Sequence, residues 1–263
     1  MTDIKSIIKS SLKDINPMND FIKIEFEKMF VKWNESKSND RTGLHASSII
    51  ASDSDFCFRE QILSFHYKKF AVPISPKTLG IFLNGWYVHI KWQTLFEKCG
   101  IAESIEETRL SKLWNVYLTP DAVINLFGRK YIVEIKSMNT FQFKHLKGPP
   151  VNAVRQCQFY MHILGIPYGI ILVEDKNDQN FHSWAIEYDP IVARPFIERL
   201  YKIKKYEEKF QESGKLPIGL CEILYSGGGK IGAKSPLVRR SERCDCRKAC
   251  FASKLSREKL FLQ

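Results

Sequence analysis

The chain has 263 residues, 44% of them hydrophobic and 26% charged, a balance that allows a sizeable buried core and excludes wholesale disorder. No run approaches the roughly 18 apolar residues that cross a bilayer, and the N-terminus lacks the apolar stretch of a secretory signal, so a soluble cytoplasmic protein without a membrane partner is expected. The net charge of +11 gathers late: from Arg194 to Gln263 there are 17 Lys and Arg against 8 Asp and Glu, a net of +9, which suits either a polyanionic partner or a solvated lysine-rich helix.

The first 36 residues read as two helices broken at Asn16-Pro17, with apolar spacing at Ile4, Ile7, Ile8 and Leu12. The polar run from Asn34 to Thr42 reads as a linker or exposed loop. Ser47 to Ile50 and Phe56 to Tyr67 look helical. Ser75-Pro76 has the form of an N-cap with proline at the first helical position, opening a helix that runs to about Cys99-Gly100. Trp114 to Leu118, Ala122 to Leu126, Tyr131 to Lys136, Ile166 to Val173 and His182 to Tyr188 are short runs rich in β-branched and aromatic residues, the signature of strands. Gly148-Pro149-Pro150 precedes a helix over Val151 to Leu164, closed by Gly165. A long amphipathic helix follows from about Arg194 to Glu212, and the last fifty residues read as irregular and basic.

Thr119-Pro120-Asp121 and Glu134-Ile135-Lys136 carry the chemistry. Residues two apart on a strand share a face, so Glu134 and Lys136 project together while Val133 and Ile135 face the core. The run Asp121 to Leu126 reads as the hairpin partner, turning at Phe127-Gly128-Arg129. If Phe127 and Lys130 flank a two-residue turn, Asp121 lies opposite Lys136; if Leu126 and Arg129 flank it, Asp121 lies opposite Glu134. Either register gathers the three side chains on one face. Two converging carboxylates repel unless a cation stands between them, and hard oxygen ligands suit Mg²⁺ or Mn²⁺. Such an ion polarises a phosphate and lowers the pKa of a water, while a neighbouring lysine orients that water and offsets developing charge.

The Pro-Asp, Glu-x-Lys arrangement resembles the PD-(D/E)XK nuclease superfamily. Gly85-Trp86-Tyr87-Val88-His89 resembles the Gly-x-x-x-His motif of its RecB-type exonuclease branch, and Gln156-x-x-x-Tyr160 that branch's Gln-x-x-x-Tyr motif. The resemblance implies that His89, Asp121, Glu134 and the backbone carbonyl of Ile135 hold the metal, with Asp121, Glu134 and Lys136 catalytic. It implies that Gln156 and Tyr160, four apart on one helical face, contact the substrate. Cys57-Phe58-Arg59 is similar to the Cys-x-Arg start of iron–sulfur nucleases, the group that includes the RecB-type CRISPR-adaptation nuclease and the AddB nuclease domain. Among the seven cysteines, the resemblance then implies that Cys57, Cys244, Cys246 and Cys250 hold a [4Fe–4S] cluster. The Cys-x-Cys-x-x-x-Cys spacing is tighter than that group's, so Cys221 stands as a substitute ligand and zinc as the alternative metal.

The expected fold is α/β: a restriction-endonuclease-like core, with a small mixed β-sheet flanked by helices, N-terminal helices and a cysteine-bearing C-terminal region. Residues 1–40 form an N-terminal helical segment, 41–215 the nuclease core, and 216–263 a basic C-terminal region packing on it. The expected activity is metal-dependent DNA hydrolysis, exonucleolytic, in recombination, repair or phage DNA processing. DNA is the expected partner, together with a recombination, helicase or replication protein. The alternatives are a structure-selective endonuclease and a DNA-binding adaptor with a silent centre. Ser226-Gly227-Gly228-Gly229-Lys230 reads as a flexible loop rather than a phosphate loop. Arg239, Arg240, Arg243, Arg247 and Lys248 are candidate backbone contacts. Glu106 and Glu107 read as a solvated strand end, with support of a second metal as the alternative.

Overall fold

The computed structural model describes residues 18–35, 43–66 and 74–220, together with Cys244, Cys246, Ala249 and Cys250. The first expected helix, most of the polar run before Thr42, Cys221, the glycine loop at 226–230 and the basic residues from Arg239 to Lys248 lie outside the described residues. In chain order the elements are α1 (Met18–Glu35), β1 (Leu44–His45), α2 (Ala46–Ile49), α3 (Phe58–His66), α4 (Pro76–Lys98), β2 (Ala102–Ile105), β3 (Arg109–Ser111) and β4 (Val116–Leu118). There follow β5 (Ala122–Leu126), β6 (Arg129–Met138), α5 (Thr140–Lys144), α6 (Val151–Leu164), β7 (Tyr168–Asp175), β8 (Phe181–Glu187) and α7 (Pro190–Ser213).

Two compact units divide the chain, one of residues 1–41 and 73–84 and the other of residues 42–72 and 85–263. In the first, the Phe30 ring of α1 packs over Gly80, where a Cβ would stand 3.7 Å from it. Ser75 caps α4 by accepting a hydrogen bond from the Thr78 N–H at 3.3 Å, and Pro76, which has no N–H to leave orphaned, opens the helix.

The second unit is built on a five-stranded sheet of order β2-β5-β6-β7-β8. All pairings are antiparallel except β6 with β7. A parallel pair needs a crossover, and here α5 and α6 supply it. Residues Ile132 to Ile135 of β6 are all buried, as a central strand covered on both faces requires. Val133, Ile135 and Leu172 face Val88 and Phe96 of α4. Ile132, Ile171 and Val173 face Cys157, Phe159 and Tyr160 of α6, with Phe196 and Leu200 of α7 behind them. A smaller sheet of order β1-β4-β3 leads directly into the Thr119-Pro120-Asp121 turn. This is a mixed sheet between helical layers, the α/β restriction-endonuclease-like arrangement.

Several boundaries differ from the sequence reading for identifiable reasons. The reading starts the last long helix at Arg194, but Asp189 accepts a hydrogen bond from the Ile191 N–H and Pro190 follows as the first helical residue, so α7 opens four residues earlier. Asn139 likewise caps α5, accepting from the Gln142 N–H at 2.9 Å. Strands β1, β2 and β3 hold two to four residues each, too few to show an alternating pattern. α6 runs from Val151 to Leu164 with Gly165 left-handed at its end (φ 67°), as the sequence predicts.

Candidate metal centre

The turn between β5 and β6 decides which side chains meet. Leu126 pairs with Arg129 across Phe127-Gly128, and both turn residues have positive φ (53° and 74°), the two-residue form that matches strand twist. Of the two registers open from sequence, this is the one that puts Asp121 opposite Glu134: Ala122 pairs with Val133, and Asp121 precedes that pair. Glu134 and Lys136 project toward the α6 layer, away from Val133 and Ile135.

Asp121 sits between three elements. Its Oδ2 accepts a hydrogen bond from the Ile135 N–H at 2.6 Å, and its Oδ1 lies 3.3 Å from His89 Nδ1 on α4. Its backbone carbonyl accepts from Gln93 Nε2 at 3.0 Å and from the Glu106 N–H at 3.3 Å. His89 and Gln93 are one helical turn apart, so a single face of α4 holds both the side chain and the backbone of Asp121. Gly85, a turn earlier, lets α4 approach the end of β6: a Cβ there would stand 3.3 Å from Ser137 Oγ.

Glu134 is fully buried. Its Oε1 accepts a hydrogen bond from Lys136 Nζ, whereas its Oε2 has no hydrogen-bond partner among the described residues. Burial first, and then the neighbouring charge of Asp121, push the Glu134 carboxyl up to about 8 against the opposing pull of Lys136. Burial draws the Lys136 ammonium down, but Glu134 and then Asp121 outweigh it and the net direction is upward.

The helix motif resolves into a brace. Gln156 Nε2 donates to the Tyr160 hydroxyl at 3.1 Å, and that hydroxyl donates to the Thr119 carbonyl at 3.3 Å. Tyr160 is buried and its phenol is pushed up, by burial and then by Glu134. The pair therefore grips the turn two residues before Asp121. Cys157, between them on the helix, is buried beneath β6 with its Sγ directed at the Ile132 carbonyl, and burial raises its thiol as well.

Glu106 is the residue that the sequence reading set aside. Ligand atoms of His89, Glu106 and Asp121 all lie within 4.8 Å of one another, while the adjacent Glu107 pairs with Arg109 Nη2 at 2.6 Å. Because Ile105 pairs with Ala122, Glu106 is carried to Asp121 by strand pairing; the signal becomes legible once β2 is recognised.

The described C-terminal cysteines converge on the start of α3. Cys244 Sγ donates to Glu60 Oε1 at 3.5 Å, Cys246 Sγ to the Glu60 carbonyl at 3.8 Å, and Arg59 Nη1 lies 3.9 Å from Cys250 Sγ. Cys57, buried, immediately precedes that helix, and Cys246 and Ala249 pack on Leu63.

Fold and site together define a mixed-sheet scaffold that gathers His89, Glu106 and Asp121 within 4.8 Å of one another and sets the buried Glu134–Lys136 pair on the strand opposite Asp121. No protein-family model matches the chain, and no curated protein matches it. Among solved structures it is similar to the crystal structure of SSO0001, at 12% identity over 69% of this chain and 86% of that one, with a TM-score of 0.44. It is also similar to the alkaline exonuclease LHK-Exo from Laribacter hongkongensis, at 14% identity over 65% and 93%, TM-score 0.47. The complex of LHK-Exo with dAMP aligns at 16% identity over the same shares, TM-score 0.48. Among the described residues, no helix is long and apolar enough to cross a membrane.

Proposed function

We propose that this protein is a divalent-metal-dependent deoxyribonuclease of the PD-(D/E)XK type, acting exonucleolytically on DNA. The observation that carries the reading is the Glu134 side chain, a fully buried carboxylate that has one oxygen without a hydrogen-bond partner among the described residues and lies beside a second carboxylate, Asp121. Like charges held together out of water need a cation to be stable in the ionised form, and the donor set of carboxylates with one imidazole fits Mg²⁺ or Mn²⁺. Asp121, Glu134, His89 and the Ile135 carbonyl would hold the ion, with Glu106 an additional oxygen donor within reach. Bound there, the metal supplies Lewis acidity toward the scissile phosphate. Lys136 Nζ, anchored on Glu134, orients the attacking water and offsets charge that builds on the phosphoryl oxygens. Tyr160 and Gln156 position the Thr119-Pro120-Asp121 turn and so the carboxylate itself.

The same reading assigns Cys57, Cys244, Cys246 and Cys250 to a [4Fe–4S] cluster, with zinc as the alternative; the lie of the three C-terminal cysteines against the start of α3, which Cys57 immediately precedes, supports it. Anaerobic purification followed by visible absorbance and iron and zinc assays separates the two. The activity test is end-labelled linear DNA and circular DNA incubated with wild type and Asp121→Ala in Mg²⁺, Mn²⁺ or EDTA. Degradation of linear DNA by wild type alone, dependent on metal, is the expected result. Binding without cleavage by both proteins in every condition would replace the reading with that of a DNA-binding adaptor.

A further inference from the structure

The strand that carries Glu134 and Lys136 runs directly into the short helix α5, and that helix is fixed at both ends. Thr140 Oγ1 donates to Asp175 Oδ1 at 3.1 Å, and the Met138 carbonyl just before it accepts from the Lys176 N–H at 2.9 Å. Phe143 is buried and lies ring on ring with His182 of β8, centroids 4.5 Å apart at 8°. It belongs to the packing layer of Ile132 and Tyr160, on the side of the sheet toward which Glu134 and Lys136 project. Phe141 follows Lys136 by five residues, a span of at most ~18 Å, which a few nucleotides of strand bridge.

With Phe143 turned into the core, the residues two before and two after it point outward. Phe141 is 74% exposed, and the exposed His145 stands against it, ring centroids 4.4 Å apart at 39°. His145 Nδ1 donates to the Phe141 carbonyl at 2.7 Å, which holds the imidazole in place behind the phenyl ring. A single exposed phenylalanine is ordinary; a pair of rings locked together on an anchored helix is a preorganised flat surface. Its exposed neighbours are Asn139, Gln142, Lys144 and Lys147, polar or cationic throughout. From Ile135 to Val173 the sequence holds Lys136, Lys144, Lys147 and Arg155 and no Asp or Glu, and Asp175 beneath the start of α5 is buried. An apolar protein segment would find no further apolar contact here, whereas a polyanion with flat bases finds both of its features answered.

We propose that Phe141, backed by His145, is a stacking platform for an unpaired base of a DNA strand whose backbone runs past Lys144 and Lys147 toward Lys136. The choice of DNA rests on the nuclease reading; the platform itself is tested without cleavage. Every base has a π-face, so such a platform is tolerant of sequence. It discriminates by strand state instead. In a duplex both faces of a base are already covered by its neighbours, and only a single-stranded or frayed end offers a face to Phe141. The platform therefore makes the protein prefer single-stranded DNA ends.

The experiment is fluorescence anisotropy of the full chain in EDTA with three labelled probes: a thymidylate dodecamer, an abasic sugar-phosphate strand of the same length, and a blunt duplex of that length. Wild type should bind the thymidylate strand about ten-fold or more tighter than the abasic one. Phe141→Ala should abolish that difference, and Phe141→Trp should keep it; the side chain is exposed, so both variants are expected to fold, as melting curves establish. Lys144→Ala should weaken all three probes alike and lower the salt dependence by about one counterion. Asp121→Ala should bind as wild type does. The same binding pattern in a protein that cuts no DNA in Mg²⁺ or Mn²⁺ keeps the platform and removes the nuclease reading. Equal affinity for the thymidylate and abasic strands, a difference that survives Phe141→Ala, an equal loss on the duplex, or no binding to any probe overturns the proposal, whether or not the protein cleaves DNA.

Discussion

Neighbouring strands of the central sheet each carry a buried glutamate, and the two are held in opposite ways. Glu174 on β7 is 2% exposed, and it receives Lys91 Nζ at 2.5 Å and Trp92 Nε1 at 2.6 Å, both from α4. Glu134 on β6 is equally buried, with a lysine on one oxygen, no hydrogen-bond partner among the described residues on the other, and a second carboxylate alongside. Burial of an acid is therefore no mark of function in this molecule. The mark is an acid whose surroundings are left incomplete and are made worse by a neighbour of the same sign.

The sharpest way to break this contrast is Glu134→Gln. Cleavage in Mg²⁺ should fall by about a thousand-fold or more, as expected when a group that stabilises transition-state charge is lost. The metal-free protein should nevertheless melt at a higher temperature than wild type. The sign follows from linkage: the folded-state pKa of Glu134 lies above its unfolded value, so its favourable contribution is complete below the ordinary carboxylate range and is lost as pH rises through about 8. The gap in melting temperature should widen over that interval in EDTA and close when Mn²⁺ is added to wild type. A variant that melts lower than wild type at every pH would mean that Glu134 is a structural ion pair like Glu174.

Glu174→Ala should show the reverse pattern. Removing one partner of a buried ion pair costs about 3 kcal/mol, reduced here because Lys91 is partly exposed. Turnover per folded molecule should stay near wild type; denaturant unfolding combined with single-turnover cleavage reads both quantities. Tyr160→Phe is intermediate. Loss of the hydroxyl that holds Thr119 should cost about 1 kcal/mol of stability and lower kcat with KM little changed, through misplacement of Asp121. The smallest effect belongs to the hairpin tip. Phe127 is 90% exposed and left-handed, a conformation asparagine adopts more readily. Phe127→Asn should raise stability by about 0.5 kcal/mol and leave cleavage unchanged, as thermal melts and the linear-DNA assay would show.

The parts of this architecture that could be read from sequence are those whose signal is local. α6 shows its own periodicity and ends on Gly165, and the strand carrying Glu134 and Lys136 announces itself by its β-branched and aromatic residues. The parts that could not be read depend on partners distant in sequence. Strand β2 is four residues long, and without it nothing places Glu106 near Asp121. Gln93 is an ordinary polar residue on a helix until the Asp121 carbonyl is known to face it. Tyr160 carries a motif, but its grip on Thr119 follows from the packing of α6 on the sheet and not from the spacing of the motif.

The two-residue turn at Phe127-Gly128 has a consequence for how this chain tolerates change. Because side chains alternate along a strand, the separation between Leu126 and Arg129 determines which face of β5 meets which face of β6. Replacing either turn residue leaves that parity intact. Inserting or deleting a single residue reverses it, turning Ala122 and Ile124 out of their packing layer and carrying Asp121 away from its place opposite Glu134. Inheritance through this loop should thus be permissive toward substitution and intolerant of odd changes in length, although the loop is fully exposed and touches none of the chemistry.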